Sequence, residues 1–120
     1  MNPTPGDQDR IRAAELLFRL AATIAARRDA DPARSYVAGL FAAGNAAIAK
    51  KVGEEAIETV LAAAAEDREA VVRESADLVF HLMVLWASLG VGWTAIADEL
   101  ARREGLSGLE EKRRRDSAVP

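Results

Sequence analysis

Cysteine is absent from the 120 residues, which excludes a disulfide framework, a thiolate zinc site and a cysteine nucleophile. Proline is scarce, with four in the chain and none from Ala33 to Val119, so nothing over that stretch removes a backbone donor from a helix. Aromatic residues make up 5% of the chain while alanine makes up about a fifth, and this balance disfavours a β-sandwich or a βαβ sheet. Cations are not in surplus: 16 Lys+Arg face 19 Asp+Glu, a net charge of -3. A general nucleic-acid binder is therefore not expected, and any phosphate ligand must be met by local groups. The longest apolar run, Leu78 to Leu89, is interrupted by His81 and Ser88. It is well short of the ~20 residues that span a bilayer, so it reads as a buried core helix and no membrane segment is expected. Met1 to Asp9 is polar and carries no basic stretch leading into an apolar one, so no signal peptide is expected.

What is present is helical periodicity in one domain-sized chain with 50% hydrophobic residues. Pro3, Pro5 and Gly6 predict a loose start, and Ile11, Ala14, Leu17, Leu20, Ala21 and Ile24 then repeat at helical spacing up to Arg27-Arg28. Asp31-Pro32 is a helix-start signal for a short second helix carrying Tyr36, Val37, Leu40 and Phe41, closed by Gly44 in a left-handed conformation. A long third helix runs from Asn45 to about Ala65. Glu66-Asp67 breaks it, and Asp67 can cap a fourth helix that continues to Gly90. A fifth helix is expected from about Gly92 to Glu104. The expectation is an all-α bundle of four or five helices: a flexible N-terminus over 1–9, a helical domain over 10–105 and a basic C-terminal tail over 106–120. The fourth helix is apolar on nearly all sides, more than a small monomeric bundle covers, so a dimer through that helix is expected.

The residues that carry chemistry are acids. Glu54, Glu55 and Glu58 form E-E-x-x-E on the third helix, and Glu74 and Asp77 form E-x-x-D on the fourth. At about 100° per residue, Glu55 and Glu58 project from one face, and so do Glu74 and Asp77. In an antiparallel hairpin about Glu66-Asp67, the residue level with Glu58 is near Ser75, and both pairs sit about 12 Å from the turn at ~1.5 Å rise per residue. Glu55 shares its side with Ile48, Val52 and Ala62, and Glu74 shares its side with Val71, Leu78 and Leu85, so the acids border the core stripe. Carboxylates crowded at a core edge repel one another and lose hydration unless a cation neutralises them. A hard divalent cation with oxygen ligands answers that need, and Mg²⁺ fits best because it takes few protein carboxylates and accepts substrate phosphates in its other positions. The plainer alternative is that these acids pair with Lys50, Lys51 and Arg73 on solvated faces. A di-iron bundle is disfavoured, because His81 is the one histidine and does not follow a Glu by three residues. Lys51 lies between Glu55 and Glu58 and either neutralises that face or reaches a substrate phosphate, whereas Lys50 points toward Glu54. His81 is expected to be a hydrogen-bonded core residue, with proton transfer as its alternative.

The blocks S-Y-V-A-G-L-F-A-A-G (Ser35 to Gly44), I-A-K-K-V-G-E-E-A-I-E (Ile48 to Glu58) and E-S-A-D-L-V-F-H-L-M-V-L (Glu74 to Leu85) resemble phosphoribosyl-ATP pyrophosphohydrolases, a family of the all-α, MazG-like superfamily. The resemblance runs from about Leu16 to Lys112. It implies Mg²⁺-dependent hydrolysis of 1-(5-phospho-β-D-ribosyl)-ATP to the AMP derivative and pyrophosphate, the second step of histidine biosynthesis, by a cytoplasmic homodimer. It implies that Glu54, Glu55, Glu58, Glu74 and Asp77 are the catalytic acids, with Glu55, Glu58, Glu74 and Asp77, the four that helical geometry also favours, as the metal ligands, and that Lys50, Lys51 and Gly53 shape the phosphate or metal site. Ser35 and Tyr36 are implied to contact substrate. Asn45 and Phe80 depart from the family pattern without touching the acidic set. Two other readings stand beside this one: a housekeeping pyrophosphohydrolase of free nucleoside triphosphates, and a non-catalytic helical dimer.

Overall fold

The computed structural model describes residues 2–105 and 108–118, apart from the side chains at 111 and 118. Among these the architecture is all-α, with α1 (Pro5–Ala26), α2 (Tyr36–Ala43), α3 (Asn45–Ala64), α4 (Arg68–Ser88), α5 (Trp93–Arg103) and α6 (Gly108–Ala118). Met1, Leu106, Ser107, Val119 and Pro120, which belong to the expected terminal segments, lie outside the described residues.

The helix starts follow from side-chain caps. α1 begins five residues before the expected boundary, because Thr4 and Asp7 form a capping box in which Thr4 Oγ1 accepts from Asp7 N (3.1 Å) and Asp7 accepts from Thr4 N (3.3 Å). Pro5 then occupies the first helical turn, where its missing donor costs nothing. Asp31-Pro32 does not start α2. The Asp31 carboxylate accepts from Ala33 N and its carbonyl accepts from Arg34 N and Ser35 N, so it closes a turn of its own. Ser35 is the actual cap, its Oγ accepting from Ala38 N at 3.1 Å. Gly44 joins α2 directly to α3 with φ 94° and ψ 168°, a combination open to glycine and different from the left-handed helical conformation expected there.

The break between α3 and α4 falls where the sequence places it. Glu66 has φ 56°, Glu66 N donates to Ala63 O and Asp67 N donates to Ala62 O, which closes α3 as a Schellman motif. Asp67 Oδ1 then accepts from Ala70 N and caps α4. The two helices form an antiparallel hairpin, and α1 and α2 pack across its far half. There Ile24, Val37, Ile48, Met83 and Val84 form the buried core, with Leu20, Leu40, Phe41 and Trp86 around them. Arg28 ties these layers together: its guanidinium donates to Ala87 O at 3.0 Å and lies 4.8 Å from the Phe41 ring centre. Trp93 stacks on Trp86 at 6.0 Å and folds α5 back against the bundle.

One expectation changes. The basic run Lys112 to Arg115 lies on an exposed sixth helix, beyond the four or five expected, consistent with the helix propensity of its Glu, Lys and Arg residues. Within the apolar Leu78 to Leu89 segment His81, Met83 and Val84 are buried against the rest of the chain, whereas Val79 and Leu89 are exposed. Further exposed apolar side chains include Ile57, Val60 and Leu61 of α3, Val72 of α4, and Leu16 and Phe18 of α1. Among the described residues no single helix is long and apolar enough to cross a membrane; α4 and α5 meet that criterion only together, and they are bent by 110°.

Candidate functional site

The buried residues of α3 are Ile48, Glu55 and Ala62, spaced by seven and therefore on one side of the helix. Glu55 is thus a carboxylate set into the core stripe. Facing it on α4, Glu74 is half-buried and Asp77 is exposed. One carboxylate oxygen from each of Glu55, Glu74 and Asp77 lies within 4.8 Å of the others. Three like charges at that separation, one of them buried, are unfavourable without a neutralising cation. The donors are all hard oxygens, the chemistry that suits a divalent cation.

The other two acids stand apart from that triad. Glu58, three residues on from Glu55, is turned about 60° off the Glu55 stripe and is exposed. Glu54 is exposed and lies 3.8 Å from Lys51 Nζ, which also approaches Glu55 Oε1 at 3.2 Å. The Lys51 ammonium therefore neutralises Glu54 and Glu55 rather than Glu55 and Glu58. Its pKa is raised, chiefly by the hydrogen bond to Glu55 and then by the nearby Tyr36 oxygen. Among the described ion pairs none involves Lys50, so the pairing expected of Lys50 with Glu54 is taken by Lys51.

Behind the triad lies a hydrogen-bond chain that sequence reasoning did not join. His81 is buried; its Nδ1 is 2.7 Å from Asp77 O and its Nε2 is 2.8 Å from the Tyr36 hydroxyl. A carbonyl only accepts, so Nδ1 carries the proton and Nε2 accepts from Tyr36. The histidine is thus the hydrogen-bonded core residue expected of it, and it also links α2 to the backbone of Asp77. Phe80 stacks on the Tyr36 ring at 6.2 Å and meets the His81 ring edge-on at 5.1 Å, which fixes both rings. Tyr36 is therefore tied through His81 to the backbone of Asp77 and stands near Lys51, while Ser35 caps the helix that carries it.

The model of the family described as phosphoribosyl-ATP pyrophosphohydrolase matches residues 17–104, which includes the triad, Lys51, Tyr36 and His81. The chain belongs to this family. Relatives named phosphoribosyl-ATP pyrophosphatase bear it out over most of their length. That of Azospirillum brasilense is 54% identical over 110 residues, 92% of this chain and 98% of the relative. That of Rhizorhabdus wittichii is 62% identical over 96 residues, 80% and 91% of the two chains. That of Novosphingobium aromaticivorans is 57% identical over 103 residues, 86% and 96%. As a phosphoribosyl-ATP pyrophosphohydrolase family member, the chain carries Glu55, the most buried acid among the described residues, within reach of the acids of α4.

Proposed function

We propose that this chain hydrolyses 1-(5-phospho-β-D-ribosyl)-ATP to 1-(5-phospho-β-D-ribosyl)-AMP and pyrophosphate, the second step of histidine biosynthesis, in the cytoplasm and with Mg²⁺. The observation that carries the reading is the convergence of three carboxylates from two helices within 4.8 Å, in a chain of this family. Glu55, Glu74 and Asp77 hold the cation. When bound, Mg²⁺ supplies neutralisation of the charge that grows on the leaving pyrophosphate and acidifies an attacking water.

The chain's own residues divide the remaining work. Glu54 is engaged with Lys51, whereas Glu58 is exposed and forms no ion pair among the described residues. Glu58 is accordingly the carboxylate that orients the water and accepts its proton. Lys51 and its neighbour Lys50 meet the phosphate oxygens, Lys51 from a position already fixed by Glu55. No covalent intermediate is needed: water attacks the α-phosphorus and the bond to the bridging oxygen of the β-phosphate breaks.

The acting unit in this proposal is a homodimer, and neither nucleic acid nor membrane is a partner. The exposed apolar side chains support the dimer: Ile57, Val60 and Leu61 lie on the side of α3 roughly opposite Glu55, at 61%, 66% and 57% exposure, and Val72 on α4 is at 70%. The net charge of -3 supports the first of these, and among the described residues no single helix is long and apolar enough to cross a membrane.

The test is pyrophosphate release from phosphoribosyl-ATP beside ATP and dUTP at one concentration, with Mg²⁺ and then with EDTA. Selective release from phosphoribosyl-ATP that EDTA abolishes is expected. Faster release from a free nucleoside triphosphate would move the protein to the housekeeping branch of the superfamily.

A further inference from the structure

The substrate is anionic at two ends, a triphosphate and the 5-phosphate of the added ribosyl group, and the acid triad with its lysines accounts for one. On the other side of Tyr36 a cleft of about 470 Å³ opens between the end of α1 and the start of α2, lined by Arg27, Ala30, Asp31, Arg34, Ser35 and Tyr36. It is linked to the helix that carries Glu74 and Asp77 by a short chain of contacts: Tyr36 lines it, the Tyr36 hydroxyl is 2.8 Å from His81 Nε2, and His81 Nδ1 is 2.7 Å from the Asp77 backbone carbonyl.

The donors in this cleft can be sorted by hydrogen-bond chemistry. The Tyr36 hydroxyl gives its proton to His81, so its oxygen is left as an acceptor and cannot donate to a phosphate. Ser35 Oγ accepts from Ala38 N and keeps its own proton. The strong donors are the two guanidinium groups. Arg28, next in sequence, is bound to Ala87 O and lies over Phe41, which anchors the end of α1 and leaves Arg27 to the cleft side. The Arg27 backbone closes α1, while its guanidinium makes no hydrogen bond or ion pair among the described residues. Arg34 has only a 3.9 Å approach to Asp31 at a highly exposed site, an interaction of little energetic value that a phosphate easily displaces. Asp31 is itself held by Ala33 N. Two arginines against one acid leave the cleft with a cationic excess in a chain whose net charge is -3.

We propose that the Arg27 and Arg34 cleft binds the 5-phosphate of the ribosyl group, and that it distinguishes phosphoribosyl-ATP from ATP. The proposal rests on the reaction stated above, whose substrate alone carries that second phosphate. Guanidinium groups suit the task because their paired donors match phosphate oxygens and stay charged at every working pH. A contact to a part of the substrate remote from the reacting phosphorus acts on binding more than on the chemical step.

The experiment compares the wild type with Arg27→Gln/Arg34→Gln, with Arg27→Lys/Arg34→Lys, and with Arg19→Gln as an exposed α1 control. The expected result is a KM for phosphoribosyl-ATP raised about tenfold or more in the glutamine variant, with kcat nearly kept, a partial return in the lysine variant and no change in the control. Ribose 5-phosphate is expected to compete with substrate in the wild type and to lose that competition in the glutamine variant. An unchanged KM, or equal inhibition of both proteins by ribose 5-phosphate, would overturn the cleft assignment while leaving the reaction intact. A lowered kcat at constant KM, or a KM rise that the lysines do not reverse, would overturn it as well. No pyrophosphate release by the wild type would instead overturn the reaction itself, and the cleft proposal with it.

Discussion

Tyr36 donates its hydroxyl proton to His81 across 2.8 Å, although the two residues are 45 positions apart in the chain. The bond joins the first turn of α2 to α4 one turn beyond Asp77, so the position of Tyr36 is set by the same helix that carries two of the three acids. Replacing Tyr36 by Phe keeps the stacking on Phe80 and leaves the buried His81 Nε2 without a donor. The expected cost is about 1–2 kcal/mol of stability, read as a lower urea midpoint at constant slope. An unchanged midpoint would mean that the bond adds nothing in solution.

Glu55→Gln, Glu74→Gln and Asp77→Asn are each expected to lower kcat by roughly a hundredfold or more. Each also removes one of three crowded negative charges, so the metal-free protein keeps or gains stability. Mg²⁺ is expected to raise the Tm of the wild type by mass action and to fail to do so in these variants. Glu58→Gln separates the roles: turnover falls while stabilisation by Mg²⁺ persists. Loss of the Mg²⁺ effect in Glu58→Gln would place that residue among the ligands instead.

Two titrations have a defined sign. The Glu99 carboxyl is held at about 2, below its ordinary 4.5, first by the Arg102 hydrogen bond and then by Arg103. Its contribution to stability is therefore present above pH 4.5 and is lost as the pH falls toward about 2, so Glu99→Gln is expected to flatten the acid limb in that window. Lys51 runs the other way. Its raised pKa makes its contribution complete below 10.5 and lost as the pH climbs past the folded value, so Lys51→Met is expected to lose stability at neutral pH and to converge with the wild type in alkali. Unfolding midpoints measured across pH check both.

The uncovered apolar side of α3 makes a prediction about assembly. Wild type at micromolar concentration is expected to scatter light as twice the 12.9 kDa chain, and Ile57→Asp/Val60→Asp as one chain, because a charge buried in an apolar interface is strongly unfavourable. A wild-type monomer would remove the dimer from the proposal.

The positions of the helices were largely legible in the sequence. Asp67, Gly90 and Gly92 mark α3, α4 and α5 correctly because caps and breakers act within four residues of themselves. The errors have the same local origin. Thr4 and Asp7 form a reciprocal cap that turns the proline-bearing start into helix, and Asp31 spends its carboxylate on a turn that Ser35 then succeeds as cap. The sixth helix was obscured because a run of basic residues reads as solvated chain, yet the same residues have good helix propensity.

At the site, the sequence by itself determined which acids share a helical side and at what height, since period and rise per residue are properties of any α-helix. It could not rank Glu55 above Glu58. That choice is made by the angle at which α3 lies on α4, which buries Ile48, Glu55 and Ala62 and turns Glu58 to solvent. It could not bring Tyr36 to His81 or open a cleft at Arg27 and Arg34, because those contacts depend on how helices and a connecting turn come together; the Lys51 pairs with Glu54 and Glu55, three and four residues apart on one helix, lie within reach of local spacing. Local spacing determined the members of the acid set; helix packing, which no local spacing encodes, decided which of them meet.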